Sequence, residues 1–241
     1  MPRTLKTYLA AQDEAVLASF LDWQWCICAA ISLNDLEQVA ARNDAILEPV
    51  AGGDWEKAEA VVVRRRGFAE LWVRARRTDY TTPFLIFAER YYDFVAPTVP
   101  PGYEVDHLFS KGRVARTGDK GDDQLLPPTT LVRILLVDAR VNASFGPLME
   151  GAMIGSGNPL RPVRRFTYLQ LAKALSIPAN VHGGGLSGRK RAANLGHIVD
   201  EFDRRGVLAG LGMGREQMMA ELMTQAETVR HFRKLRRLAR G

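Results

Sequence analysis

The residues of this 241-residue chain best suited to chemistry lie between Tyr103 and Glu150. The stretch opens Tyr-Glu-Val-Asp106-His107, which sets a carboxylate beside an imidazole at the end of a short apolar strand. A carboxylate can hold a divalent cation through oxygen, and an imidazole can take the proton from an attacking water. Asn142, beyond a second apolar run, could supply an amide oxygen as a further ligand or orient His107. Glu150 follows eight residues later, two helical turns on, and would share a face with Asn142 if the chain is helical there. Oxygen ligands of this kind suit Mg²⁺ or Mn²⁺. Arg113, Arg116 and Arg133 are natural phosphate contacts for such a centre. The plainer alternative is a surface or hydrogen-bonded Asp106–His107 pair, with Asn142 to Gly146 forming a turn.

Two apolar runs have to position these groups. Tyr103 to Leu108 reads as a short strand, and Leu131 to Val137 as a clear one. Ser110 to Thr130 between them is polar, rich in Gly, Asp and Lys, and reads as a loop. Asp138 to Gly146 reads as a turn, and Pro147 to Ala152 as the opening of a helix.

Asp106-His107 at a strand end, Val132-Arg133-x-Leu135-Leu136 and Asn142-x-x-x-Gly146 together resemble the His-Me finger (HNH) nucleases, most closely the phage endonuclease VII type. The resemblance covers residues 103–152 and says nothing of the rest of the chain. It implies a ββα finger in which Asp106 and Asn142 bind the metal and His107 activates water.

Upstream, residues 1–98 read as a mostly helical region. Asn34-Asp35 can cap a helix carrying Leu36, Val39, Ala40, Ile46 and Leu47. Gly52-Gly53 interrupts, and Asp54 can cap a run through Trp55, Ala58, Val61 and Val62, with Phe68, Leu71, Trp72 and Ala75 behind it. Arg64-Arg65-Arg66 with Arg74, Arg76 and Arg77 form a basic cluster, read as exposed helix charge in preference to the alternative of a phosphate contact. Pro83 breaks the pattern before an aromatic segment from Phe84 to Val95 that belongs to the core. Proline-rich linkers at 97–102 and 155–162 suggest boundaries for a finger over 99–158 and a basic region over 159–241.

That last region carries the charge. Residues 161–241 hold 16 basic and 6 acidic side chains, a net of +10, while residues 1–160 hold 17 and 21, a net of −4. Such asymmetry suggests a polyanionic partner, usually nucleic acid. Thr167 can cap a helix over Tyr168–Leu175, closed by Ser176-Ile177-Pro178. Leu195, Ile198, Val199 and Phe202 share one face of an amphipathic helix over Ala192–Arg205. The run from Phe166 to Pro178 resembles the first helix and turn of a winged-helix module. That resemblance implies a recognition helix over Arg189–Arg205, with Arg189, Lys190, Arg191 and Asn194 at its DNA-facing end and a wing starting at Gly206-Val207-Leu208. Val181 to Lys190 is glycine-rich and phosphate-like in composition, but lacks the Gly-x-x-x-x-Gly-Lys pattern of a P-loop. A last helix follows Gly214, apolar at Met218, Met219, Leu222 and Met223 and basic at its end.

The composition excludes several classes. No apolar run reaches the roughly 20 residues of a membrane span, and residues 1–11 lack a secretory signal pattern. Two cysteines, Cys26 and Cys28, are too few for a disulfide framework or a structural zinc site and fit a reducing, cytoplasmic setting. The expected fold class is therefore α+β, mainly helical: a helical N-terminal region, a small ββα finger and a winged-helix-like end. The expected function is metal-dependent cleavage of DNA, less so RNA, with a protein partner conceivable at the N-terminal region. The alternative is a DNA-binding protein without enzymatic activity.

Overall fold

Ala60, Val61, Val62 and Val63 are all buried, a β-branched run covered on both faces. Such a strand carries no alternation to announce it, and its apolar spacing also fits a helix. In the computed structural model it is a strand, and with its neighbours it forms an extensive sheet. The structure describes residues 2–50, 59–109, 114, 126–152, 163–187 and 189–238, with backbone alone at 146–152, 187 and 228–238. The helix start at Asp54, the Gly52-Gly53 break, most of the 110–130 loop and the 155–162 linker lie outside these residues.

The chain divides into two compact units. The first comprises Met1–Leu136 and Asn158–Arg165, the second Val137–Gly157 and Phe166–Gly241. The first unit runs α1 (Leu5–Leu21), β1 (Ile27–Ala30), α2 (Leu33–Arg42), β2 (Ile46–Pro49), β3 (Ala60–Arg65), β4 (Phe68–Arg74), α3 (Thr81–Tyr92) and β5 (Tyr103–His107). It continues into β6 (Leu131–Asp138), within which the division falls, and includes β7 (Val163–Arg165). The sheet order is β2-β3-β4-β6-β1-β7, antiparallel at every step, with β5 also paired to β6.

The mainly helical expectation is thus corrected. The fold is mixed, 47% helix and 21% strand, around a curled half-barrel sheet, and four of its strands lie within residues 1–98. Two local signals redirect the chain there. Asp44 adopts a left-handed φ of 52°, which ends the helix and turns Ile46 and Leu47 into β2 opposite Arg64 and Val63. Arg66 and Gly67 both have positive φ, 47° and 84°, between the paired residues Arg65 and Phe68. This is the two-residue hairpin loop whose twist matches its strands. Pro83, expected as a break, sits in the first turn of α3, where its missing N–H costs no hydrogen bond.

The core of this unit lies on both faces of the sheet. Trp25, Ile27, Leu36, Val61, Val63 and Trp72 pack together on one side. On α1, Tyr8 stacks on Phe94 at 4.8 Å and meets Tyr92 edge-on at 5.5 Å. Gln12, also on α1, receives the Leu136 N–H and donates to the Leu136 carbonyl, both at 2.9 Å. Its amide therefore acts as a one-residue strand against β6.

The second unit is helical: α4 (Ala139–Ala152), α5 (Tyr168–Ala174), a short 3-10 turn (Gly185–Ser187), α6 (Arg191–Arg204), α7 (Val207–Leu211) and α8 (Arg215–Leu238). Asp138 accepts the N–H groups of Arg140 and Val141, so a helix begins where a turn was expected. Thr167 caps α5 as expected, and Gln170 completes a capping box with it. Leu195, Ile198, Val199 and Phe202 are the buried face of α6, also as expected. The expected wing is corrected: Gly206, at φ 72°, leads into α7. Val207 and Leu208 are both buried. A strand would point these neighbours to opposite faces, whereas one helical turn brings both inward.

Candidate nucleic-acid interface

β5, β6 and α4 follow one another in the ββα order implied by the finger resemblance. Asp106 and His107 end β5 in the first unit, and Asn142 lies in the opening turns of α4 in the second. The His107 Nδ1 stands 3.6 Å from an Asp106 carboxylate oxygen. Tyr80 meets the imidazole edge-on at 4.5 Å. His107 is only 5% exposed, and its Nε2 is enclosed with no hydrogen-bond partner among the described residues. A general base has to reach the water it deprotonates, and this ring is closed off from solvent. Among the described residues, no three His, Cys, Asp or Glu side chains gather as a metal site would require. Arg113 and Arg116 lie outside the described residues, as does the Glu150 side chain.

Arg133 is 1% exposed, and its guanidinium is 3.1 Å from Glu70, itself 4% exposed. Glu70 also accepts hydrogen bonds from Ser19 at 2.5 Å, from the Trp25 indole at 3.0 Å and from the Trp72 indole at 3.2 Å. The arginine expected at a phosphate is therefore committed to a carboxylate inside the first unit, where it ties β6 to β4 and α1.

The basic end of the second unit is built differently. Gly183, Gly184 and Gly185 take φ values of 74°, 70° and 57°, three successive left-handed residues that only glycine adopts without strain. Asn194, fully buried on α6, holds this loop: it accepts the His182 N–H at 2.9 Å and donates to the carbonyls of Gly183 and Gly185. The fixed loop leads to Arg189 and Lys190, both exposed, at the start of α6. Among the described residues no side chain caps that helix, so its first N–H groups keep their partial positive charge. Arg191 is different: it is half-enclosed and pairs with Glu227 of α8 at 3.1 Å.

Comparison with protein-family models, with curated proteins and with solved structures gives no match. The chemistry of the interface has to be read from its own residues.

The acids of α6 are confined to its far half and are neutralised there. Arg215 pairs with Asp200 and, at 2.7 Å, with Asp203. Arg204 pairs with Glu201 at 2.5 Å, and that hydrogen bond, ahead of the neighbouring positive charges, holds the Glu201 carboxyl below its ordinary range. The near half of the exposed face carries only Ala192 and Ala193, with Gly196 and His197 partly covered behind them. A short-side-chained surface with cations at its N-terminal end can approach a polyanion closely.

Arg65 and Arg66 reach Asp22 at 2.7 and 3.1 Å, and Arg65 also lies over the Trp25 ring. The basic run at 64–66, read as helix charge, in fact closes a hairpin onto the turn after α1. Burial raises the Asp22 carboxyl, but the Arg65 hydrogen bond, the Gln24 N–H and both guanidinium charges outweigh it and hold it low. A carboxyl lowered by folding stabilises the fold near neutrality and loses that contribution as pH falls through its folded value. The urea midpoint is expected to drop on acidification from about pH 5 to about pH 3, and Asp22→Asn should flatten part of that slope. Parallel slopes for both proteins would show that Asp22 contributes nothing.

Proposed function

We propose that the protein is a non-enzymatic nucleic-acid-binding protein that grips duplex DNA with the N-terminal end of α6. The observation carrying this reading is the pairing of exposed Arg189 and Lys190 with an uncapped helix start, in a region of net charge +10. Phosphate oxygens are bound by Lys and Arg side chains and by helix N-termini alike. DNA is favoured over RNA because the major groove of B-DNA admits an α-helix, while that of A-form RNA does not. No described helix is long and apolar enough to cross a membrane. The buried thiols of Cys26 and Cys28 fit a cytoplasmic setting for such a protein.

Fluorescence anisotropy with a labelled duplex tests the reading. Affinity should fall linearly on a log-log plot against salt, with a slope of about −2 or steeper, because each neutralised phosphate contributes about −0.9. Absent binding, or binding indifferent to salt, would remove the proposal.

The nuclease reading keeps two observations in its favour, the Asp106–His107 contact and the ββα order of elements. The enclosure of His107 weighs against it. Supercoiled plasmid incubated with the protein and Mg²⁺ or Mn²⁺ is expected to stay intact. Nicking that chelator stops and His107→Ala abolishes would restore the catalytic reading.

A further inference from the structure

Trp23 is 66% exposed, more than any other large apolar side chain described. It stands in the turn between α1 and β1, with the Arg165 guanidinium of β7 5.2 Å from its ring centre. Two residues on, Trp25 is fully buried, its indole bonded to Glu70. The turn between them is internally tied: the Trp25 N–H donates to the Asp22 carbonyl at 2.9 Å and the Gln24 N–H to the Asp22 carboxylate at 3.1 Å. The backbone that carries Trp23 is thus spanned by hydrogen bonds to Asp22 from both residues that follow it.

Three arginines meet this turn: Arg165 at Trp23, Arg65 at Trp25 and Asp22, and Arg66 at Asp22. Asp22 is the one carboxylate that these arginines meet among the described residues, and Glu70 at the Trp25 indole is already paired with Arg133, so the described contacts leave an excess of two positive charges. Arg66 has a side chain 70% exposed and holds a left-handed backbone that arginine rarely adopts. Asparagine or glycine would suit that hairpin position better, and strain of this kind collects at functional positions.

We propose that Trp23 and Arg165 form a stacking platform for an unpaired nucleobase, with Arg66 taking an adjoining phosphate of the same single strand. An indole face accepts any base, and a guanidinium alongside adds cation–π attraction and neutralises backbone charge. The excess of cations over the single carboxylate is what favours a nucleic-acid strand over an apolar protein surface. This site goes beyond the α6 grip: it lies in the other unit and takes a different form of the ligand.

The 241-residue chain and a fluorescent dT15 strand test it, with anisotropy and tryptophan emission read together. The wild-type protein should bind dT15 and lose emission on binding. Trp23→Ala should weaken that binding about tenfold, and Arg165→Ala should weaken it too. Trp23→Phe should retain most of the affinity while losing the quenching, which assigns the signal to this ring. Arg189→Ala combined with Lys190→Ala should leave the quenching in place, separating this site from the duplex grip. Three results would overturn the proposal: no dT15 binding by the wild-type protein, unchanged affinity in Trp23→Ala, or a loss of equal size on duplex DNA.

Discussion

Replacing Arg133 with alanine should destabilise the protein by about 3–5 kcal/mol, because the Glu70 carboxylate would be left buried and uncompensated. Both partners are almost fully enclosed, so water cannot replace the lost guanidinium. The remaining donors, Ser19 and the two indoles, cannot neutralise a full charge. Glu70→Ala should also destabilise the protein, because the Arg133 guanidinium loses its ion pair at 3.1 Å. Replacing both with methionine should cost far less than the two single changes added together, since neither charge then remains to be solvated. Urea unfolding of the four proteins measures the coupling. A single-variant loss below about 1 kcal/mol would mean that Arg133 is served by other partners and that Glu70 is not its anchor.

Arg189→Ala with Lys190→Ala should weaken duplex binding about tenfold or more at low salt and make the salt slope shallower by about 2. Both side chains are exposed at the start of α6, away from the acids of its far half, so their removal should leave the melting curve unchanged. Arg191→Ala should matter less for binding, because Glu227 already holds that guanidinium. Its effect should appear as a small change in stability, within the about 1 kcal/mol typical of exposed pairs. Wild-type affinity and slope in the Arg189/Lys190 double variant would move the duplex contact away from α6. A larger loss from Arg191→Ala than from the pair would point the interface toward α8.

The proposed interface and the expected finger differ in how the chain encloses their side chains. His107 and Arg133 carry the chemical groups that a nuclease would use, but the fold turns both inward. Arg189 and Lys190 are less distinctive as residue types, yet both stand exposed at the start of α6. Function on a scaffold follows from such access as much as from residue identity.

Some of this was written locally. Thr167 and Gln170, three residues apart, determine the start of α5 without help from the rest of the chain. The 3.6-residue spacing of Leu195, Ile198, Val199 and Phe202 determines which side of α6 is buried. The run at 131–137, apolar but for Arg133 and rich in β-branched residues, reads as a strand between polar flanks. The charge asymmetry of the two ends is a property of composition and survives any fold.

Partners distant along the chain decided the rest. Val61 to Val63 become a strand because β2 and β4 supply their hydrogen bonds and both faces are covered, which no local spacing records. Trp23 and Trp25 are the same residue type two positions apart. Glu70, 45 residues downstream of Trp25, draws that one inside, while Trp23 is left at the surface beside Arg165. Whether an arginine is a phosphate contact or a buried counter-ion likewise depends on where the carboxylates end up. That is settled only when sheet, helix and hairpin close on one another, because burial and charge pairing are properties of the assembled surroundings.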